Sequence, residues 1–139
     1  MDNYMNIALK EAYKAYKKGE VPVGAVIVKN GKVISKAHNM KEIKKDCTNH
    51  AEILAIRKAS RKLKNWRLLD CELYVTMEPC MMCSGAIAES RISKIFYGVE
   101  NQNFGMTKHI KNVKIVGKVC EKECQQLLKK FFKNRRTNL

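Results

Sequence analysis

Apolar residues recur at Met5, Ala8, Ala12 and Ala15, three or four positions apart, and the pattern stops at Gly19. That spacing predicts an amphipathic helix over residues 4–18. Val21 to Val28 is the longest apolar run, broken only by a proline and a glycine, and reads as a buried strand. Asn30-Gly31 predicts a two-residue hairpin turn, because both residues tolerate positive φ, with a return strand over 32–38. The polar, lysine-rich stretch 39–49 is long enough for a functional loop. A helical stripe resumes after Asn49 with Ala51, Leu54, Ala55, Ala59 and Leu63. CELYVTM (71–77) reads as a strand, and Pro79 as the first residue of a short helix reaching Ser90. KIFYGV (94–99) predicts another strand, 100–112 a polar loop, and VKIVGKV (113–119) a fifth strand. A last helix gathers Cys120, Cys124, Leu127, Leu128 and Phe131 on one face.

The predicted order, α-β-β-α-β-α-β-β-α, points to an α/β fold of three α-β-α layers with one mixed five-stranded sheet. No repeat, linker or low-complexity tract divides the chain, so residues 1–139 are expected to form one domain. Hydrophobic residues make up 45% and charged residues 29%, a globular composition. No apolar run approaches the roughly 20 residues of a membrane span. The N-terminus lacks the basic start, apolar middle and small-residue cleavage site of a secretory signal. A cytoplasmic protein with no membrane contact is the expectation.

Charge changes the picture. With 28 basic and 13 acidic side chains the formal net charge is +15. Such an excess concentrates polyanions at the surface and favours a nucleic acid or an anionic surface as partner. A coding bias towards lysine and asparagine would produce the same total, so placement must decide. The six cysteines, in a cytosolic chain, read as reduced thiols, with any close pair a candidate for metal or redox chemistry.

One constellation carries chemistry. His50-Ala51-Glu52 opens one predicted helix; Pro79-Cys80-Met81-Met82-Cys83 opens another some thirty residues on, directly after a strand. Cysteines at i and i+3 project from one helical face, and a helix N-terminus favours thiolate over thiol. Two thiolates and one imidazole give zinc three protein ligands and leave the fourth position to water, the arrangement of a catalytic site. Bound water then ionises near pH 7, and Glu52 stands ready to move its proton. Each part has a plainer reading. Asn49 to Glu52 fits a helix capping box, His50 alone could be a hydrogen-bonded core histidine, and Cys80 with Cys83 alone could be a redox pair. H-x-E followed by P-C-x-x-C is, however, the established signature of the zinc nucleobase deaminases, and the chain matches it in order and in context.

On the segments GEVPVGAVIV, NHAEILAI, NWRLLDCELYVTMEPCMMCSGAI, RISKIFYG and ECQQLLKKFFKNRR, the chain resembles the bacterial tRNA-specific adenosine deaminases, within the cytidine and deoxycytidylate deaminase superfamily. The resemblance implies a cytidine-deaminase-like fold and one Zn2+ per subunit on His50, Cys80 and Cys83. It implies Glu52 as proton shuttle, a homodimer, and a tRNA anticodon loop as partner whose wobble adenosine becomes inosine. It also implies base contacts from Asn39 and from the Ala51 backbone; by spacing alone Asn39 is equally a turn residue at the hairpin's end. In the last helix Lys129, Lys130, Lys133, Arg135 and Arg136 flank Phe131 and Phe132, a basic strip interleaved with rings of the kind that stacks RNA bases and holds phosphates. Phe132 and Arg135 are the candidates there, with one phenylalanine expected in the core.

The chain departs from the family's pattern in two places. Asp46-Cys47-Thr48-Asn49 replaces a segment that usually carries proline and alanine. Val99 to Gly105 replaces an acid-containing, basic turn with a shorter connection, placing Asn101 where an acid is usual. Two other functions therefore stay open: a deaminase of a free base or nucleoside of guanine, cytosine or adenine type, and a non-catalytic zinc-stabilised RNA-binding subunit.

Overall fold

The computed structural model describes residues 2–105 and 107–137. Its elements are α1 (Asp2–Lys17), β1 (Gly24–Lys29), β2 (Lys32–His38), α2 (Ala51–Leu63), β3 (Cys71–Met77), α3 (Met81–Glu89), β4 (Lys94–Val99), β5 (Lys114–Val116) and α4 (Glu121–Thr137). A 3-10 turn at Thr107–His109 lies in the connection before β5.

The sheet has the order β2-β1-β3-β4-β5. β1 runs antiparallel to β2 and β3, while β3, β4 and β5 are parallel, so the sheet is mixed as expected. Alternation along the strands separates two cores. Ala25, Ile27, Leu73, Val75, Ile95 and Tyr97 face α2 and α3, packing on Ala51, Ala55, Ala59 and Ile87. Val26, Val28, Tyr74 and Phe96 face α1 and α4, meeting Met5, Ala8 and Cys124. Helices thus cover both faces, and the three-layer architecture holds.

Local departures have local causes. Val21 to Val23 stay outside β1: Pro22 has no N–H to give a ladder, and Val23 instead donates to the Val21 carbonyl at 2.9 Å. β5 ends at Val116 rather than 119, because Lys118 and Cys120 take positive φ (61° and 52°) as the chain turns into α4. The hairpin turn forms as expected, with Asn30 at φ 50° and Gly31 at φ 76°. On α4, Cys124, Leu128 and Phe131 are buried and Leu127 is half-buried, while Cys120, expected on this helix, lies in the turn just before it. No disulfide joins any of the six cysteines.

Gly24 is where α1 crosses the sheet. A Cβ there would overlap the Ala8 carbonyl and lie 2.6 Å from the Ala12 nitrogen. Helix backbone cannot retreat without giving up the Met5 and Ala8 packing, so Gly24→Ala should cost about 2–3 kcal/mol. Urea unfolding with an unchanged m-value and a lower midpoint would show it.

Candidate active site

The chemistry-bearing residues gather where β3 ends and two helices begin. α2 starts at Ala51 with His50 as N-cap, and α3 starts at Met81 with Cys80 as N-cap. Both caps are extended (ψ 154° and −179°), and neither side chain bonds back to its helix, so both are turned to other work. Pro79 precedes the cap instead of opening the helix; it holds Glu78 and the approach to Cys80 extended. The capping-box alternative for Glu52 does not form. With His50 as cap, Glu52 is the second helical residue, and the Asn49 side-chain oxygen accepts from Arg57 at 3.2 Å.

His50 Nδ1 lies 3.8 Å from the Cys80 Sγ and 3.5 Å from the Cys83 Sγ, and the three donor atoms lie within 4.8 Å of one another. Metal–sulfur bonds of about 2.3 Å and a metal–nitrogen bond of about 2.0 Å at tetrahedral angles put such donors about 3.5–3.8 Å apart. The set therefore fits one ion, and His50, Cys80 and Cys83 can bind a metal. Among the described residues it is the one such group of His, Cys or acidic side chains. His38 is engaged elsewhere, 3.0 Å from Glu11.

The surroundings tune these groups. Hydrogen bonds, first from Cys83 and then from His50, pull Cys80 down to about 3, a ready thiolate. Glu52 is 4% exposed, and burial pushes its carboxyl up to about 7, with the Cys83 sulfur in hydrogen-bonding reach. A carboxyl that gains and loses a proton near neutrality is suited to shuttling.

A cavity of about 160 Å³ opens beside them, with Asn39, His50, Ala51, Glu52 and Cys80 among its lining residues. Cys83 sits behind, fully buried. Asn39 is a turn residue, its Oδ1 accepting the Lys41 N–H at 3.3 Å, and it also lines the cavity. Ala51, first in α2, has a backbone N–H with no partner inside the helix. Phe132 and Arg135 do not reach the cavity. Phe131 is buried edge-on to Tyr16, Arg135 lies 5.4 Å over the Phe131 ring, and Phe132 is 44% exposed. The strip belongs to the outer surface of α4, beside the C-terminal end of α1. The Arg136 side chain lies outside the described residues.

With this geometry in hand, comparison with known proteins is specific. The family model of MafB19-like deaminases matches residues 1–136. A tRNA-specific adenosine deaminase of Aquifex aeolicus is 44% identical, covering 98% of this chain and 96% of the relative. A structure from a study of A-to-I editing by tRNA:A34 deaminases at the wobble position superposes with a TM-score of 0.88 at 35% identity, covering 92% of this chain and 100% of the other. The chain belongs to the tRNA-specific adenosine deaminase family. A guanine deaminase from Bacillus subtilis is also similar, at 36% identity and a TM-score of 0.69, covering 81% of this chain and 70% of that one.

As a deaminase, the protein holds its cavity with two carboxylates that the sequence reading passed over. Glu20, 1% exposed, accepts the backbone N–H groups of Glu42 (3.1 Å) and Ile43 (2.7 Å), tying the 39–49 loop to the segment that carries Val21 and Val23 into the cavity wall. Glu78 accepts the N–H groups of Asn101 (3.2 Å) and Thr107 (3.3 Å) and the Thr107 hydroxyl, while Gly105 bridges to Cys80. The short 100–112 connection is thereby fastened to the site. Asn101, the position noted as a departure, lines the cavity together with Lys41, Met77 and Glu78. One available signal was missed: each carboxylate borders an apolar strand beside a Val-Pro or a Pro-Cys pair, where an acid needs donors.

Proposed function

We infer that the protein hydrolytically deaminates the wobble adenosine of a tRNA anticodon to inosine. The observation that carries this is the convergence of buried Glu52, His50 and Cys80 on one cavity, with Cys83 completing the donor group behind them, in a chain that matches tRNA-specific adenosine deaminases over nearly its whole length. His50, Cys80 and Cys83 would hold one Zn2+ per subunit, which when bound supplies the Lewis acidity that makes water nucleophilic near pH 7. Glu52 takes a proton from the attacking water and passes it to N1 of the adenine. It then carries the second proton to the exocyclic amine, so that the new C6–O bond replaces the C–N bond and ammonia departs. In this reading Asn39 and the Ala51 N–H, which line the cavity, would hold the base, and Phe132 and Arg135 would offer a stacking ring and a phosphate contact outside it. A homodimer in the cytoplasm is part of this reading. No helix among the described residues is long and apolar enough to cross a membrane.

A free purine base is the second reading, supported by the similarity to a guanine deaminase. The zinc-loaded protein, incubated with an anticodon stem-loop carrying a wobble adenosine, should yield inosine, and should release little ammonia from guanine, cytosine, adenine or their nucleosides. Unmodified stem-loop alongside rapid ammonia release from a free base would reverse the order.

A further inference from the structure

The sheet end opposite the cavity is marked by lysines. β3 enters there at Cys71 and leaves at Met77 beside the cavity, roughly 20–23 Å away at the rise of a strand. Register places Lys29 against Lys32 and Cys71, and Lys94 against Glu72 and Lys114. Every strand but β3 therefore meets this end with a lysine. By strand alternation Lys29 and Lys32 lean towards the α2/α3 face, where α2 runs into the loop before β3, while Lys94, 4.8 Å over the Phe96 ring, and Lys114 lean towards the α1/α4 face, so the lysines border this end on both sides. That loop and the end of α3 add Trp66, 53% exposed, with the Arg67 guanidinium 4.3 Å and the Arg91 guanidinium 5.6 Å from its ring centre. Arg91 is fixed by donating to the Ala88 and Glu89 carbonyls at 3.1 and 3.0 Å.

The acids near this end include Asp70, Glu72 and Glu89, and α1 begins here with Asp2, Tyr4 donating to the Gly31 carbonyl at 2.7 Å. Both salt bridges among the described residues involve Glu11, on α1, so among the described residues no cation of this end is paired with a carboxylate. Crowding unneutralised cations costs stability through self-repulsion unless counter-charge arrives from outside. The mechanism makes no use of them.

We propose that this end of the sheet is a second RNA-contacting surface, which grips the sugar–phosphate backbone of the substrate outside the anticodon loop. Lysines spread across the strands match a charged backbone read without regard to sequence. Trp66, braced by two guanidiniums, adds an aromatic ring with cations beside it. The surface rests on reading the substrate as a structured RNA, but not on the identity of the edited base.

Trp66 is the one tryptophan of the chain, so its fluorescence reports this surface alone. The full-length protein is titrated with full-length tRNA, with the isolated anticodon stem-loop, and with a plain RNA duplex carrying no target adenosine. Trp66 emission should change with tRNA and with the duplex, and stay constant with the stem-loop. The combined variant Lys29→Gln, Lys32→Gln, Arg67→Gln, Lys114→Gln should bind tRNA at least about tenfold more weakly, with a log–log salt slope shallower by roughly 3, at unchanged turnover of the stem-loop. A Trp66 signal indifferent to tRNA and duplex overturns the proposal, as does one given equally by the stem-loop, or a variant with the parent's tRNA affinity and slope. A tRNA that stays unedited while the duplex still shifts Trp66 would instead overturn the function proposed above and leave this surface standing.

Discussion

Glu52→Gln is expected to lower turnover of a wobble-adenosine stem-loop by about 1,000-fold or more while leaving metal content and fold intact. The amide keeps the side chain's volume and suits a buried site in which burial already favours the uncharged acid. It cannot take a proton from water or return one to the ring nitrogen and the leaving amine. General acid–base groups contribute about 10²–10⁴-fold, and Glu52 serves at more than one step, which places the loss at the upper end. Steady-state kinetics beside zinc analysis and circular dichroism would check it. A Glu52→Gln protein with full activity would remove the carboxylate from the mechanism, and a parent protein without turnover would favour the zinc-stabilised, non-catalytic alternative.

Stripping the metal, or replacing a sulfur by Cys83→Ser, should abolish activity and also weaken the fold. Cys83 is fully buried in the first turn of α3, and His50 and Cys80 lead into two different helices, so an ion bound there would tie the starts of α2 and α3 together. At zinc 100-fold above its Kd, binding alone stabilises the native state by about 2.7 kcal/mol. Its loss should lower Tm by roughly 10 °C in a chain of this size. Scanning calorimetry before and after chelation measures the shift, and added zinc should restore both Tm and turnover. Full activity in the chelated protein would remove the metal from the mechanism.

How much of this was legible depended on whether a residue's role was local. β2, β3 and β4 followed from alternation and turn chemistry, because Asn30-Gly31 and the β-branched runs dictate their own conformations. The His50, Cys80 and Cys83 group was legible because the two sulfurs stand three residues apart at a helix start, and because the motif supplies its own partner in His50. The capping box looked equally good in sequence and lost in space: His50 had to be the extended residue for its ring to reach the sulfurs, which moved Glu52 one position along the helix. Glu20 and Glu78 escaped notice because their partners are backbone N–H groups more than twenty residues away, which no local pattern encodes. β5 was drawn too long because apolar alternation continues through 117–119 while the backbone there already turns. The α4 strip was legible in part: the helical stripe grouped Phe131 with Cys124 and Leu128 and left Phe132 as the outer ring, and packing against Tyr16 follows that division.

X-ray absorption at the zinc edge of the metal-loaded, full-length protein tests the central claim most directly. The account predicts two sulfurs at about 2.3 Å and two light atoms at about 2.0 Å, one from His50 and one from solvent. Addition of a transition-state analogue should alter the light-atom shell alone. A shell completed by a third sulfur or a second imidazole, or the absence of bound zinc, would contradict it.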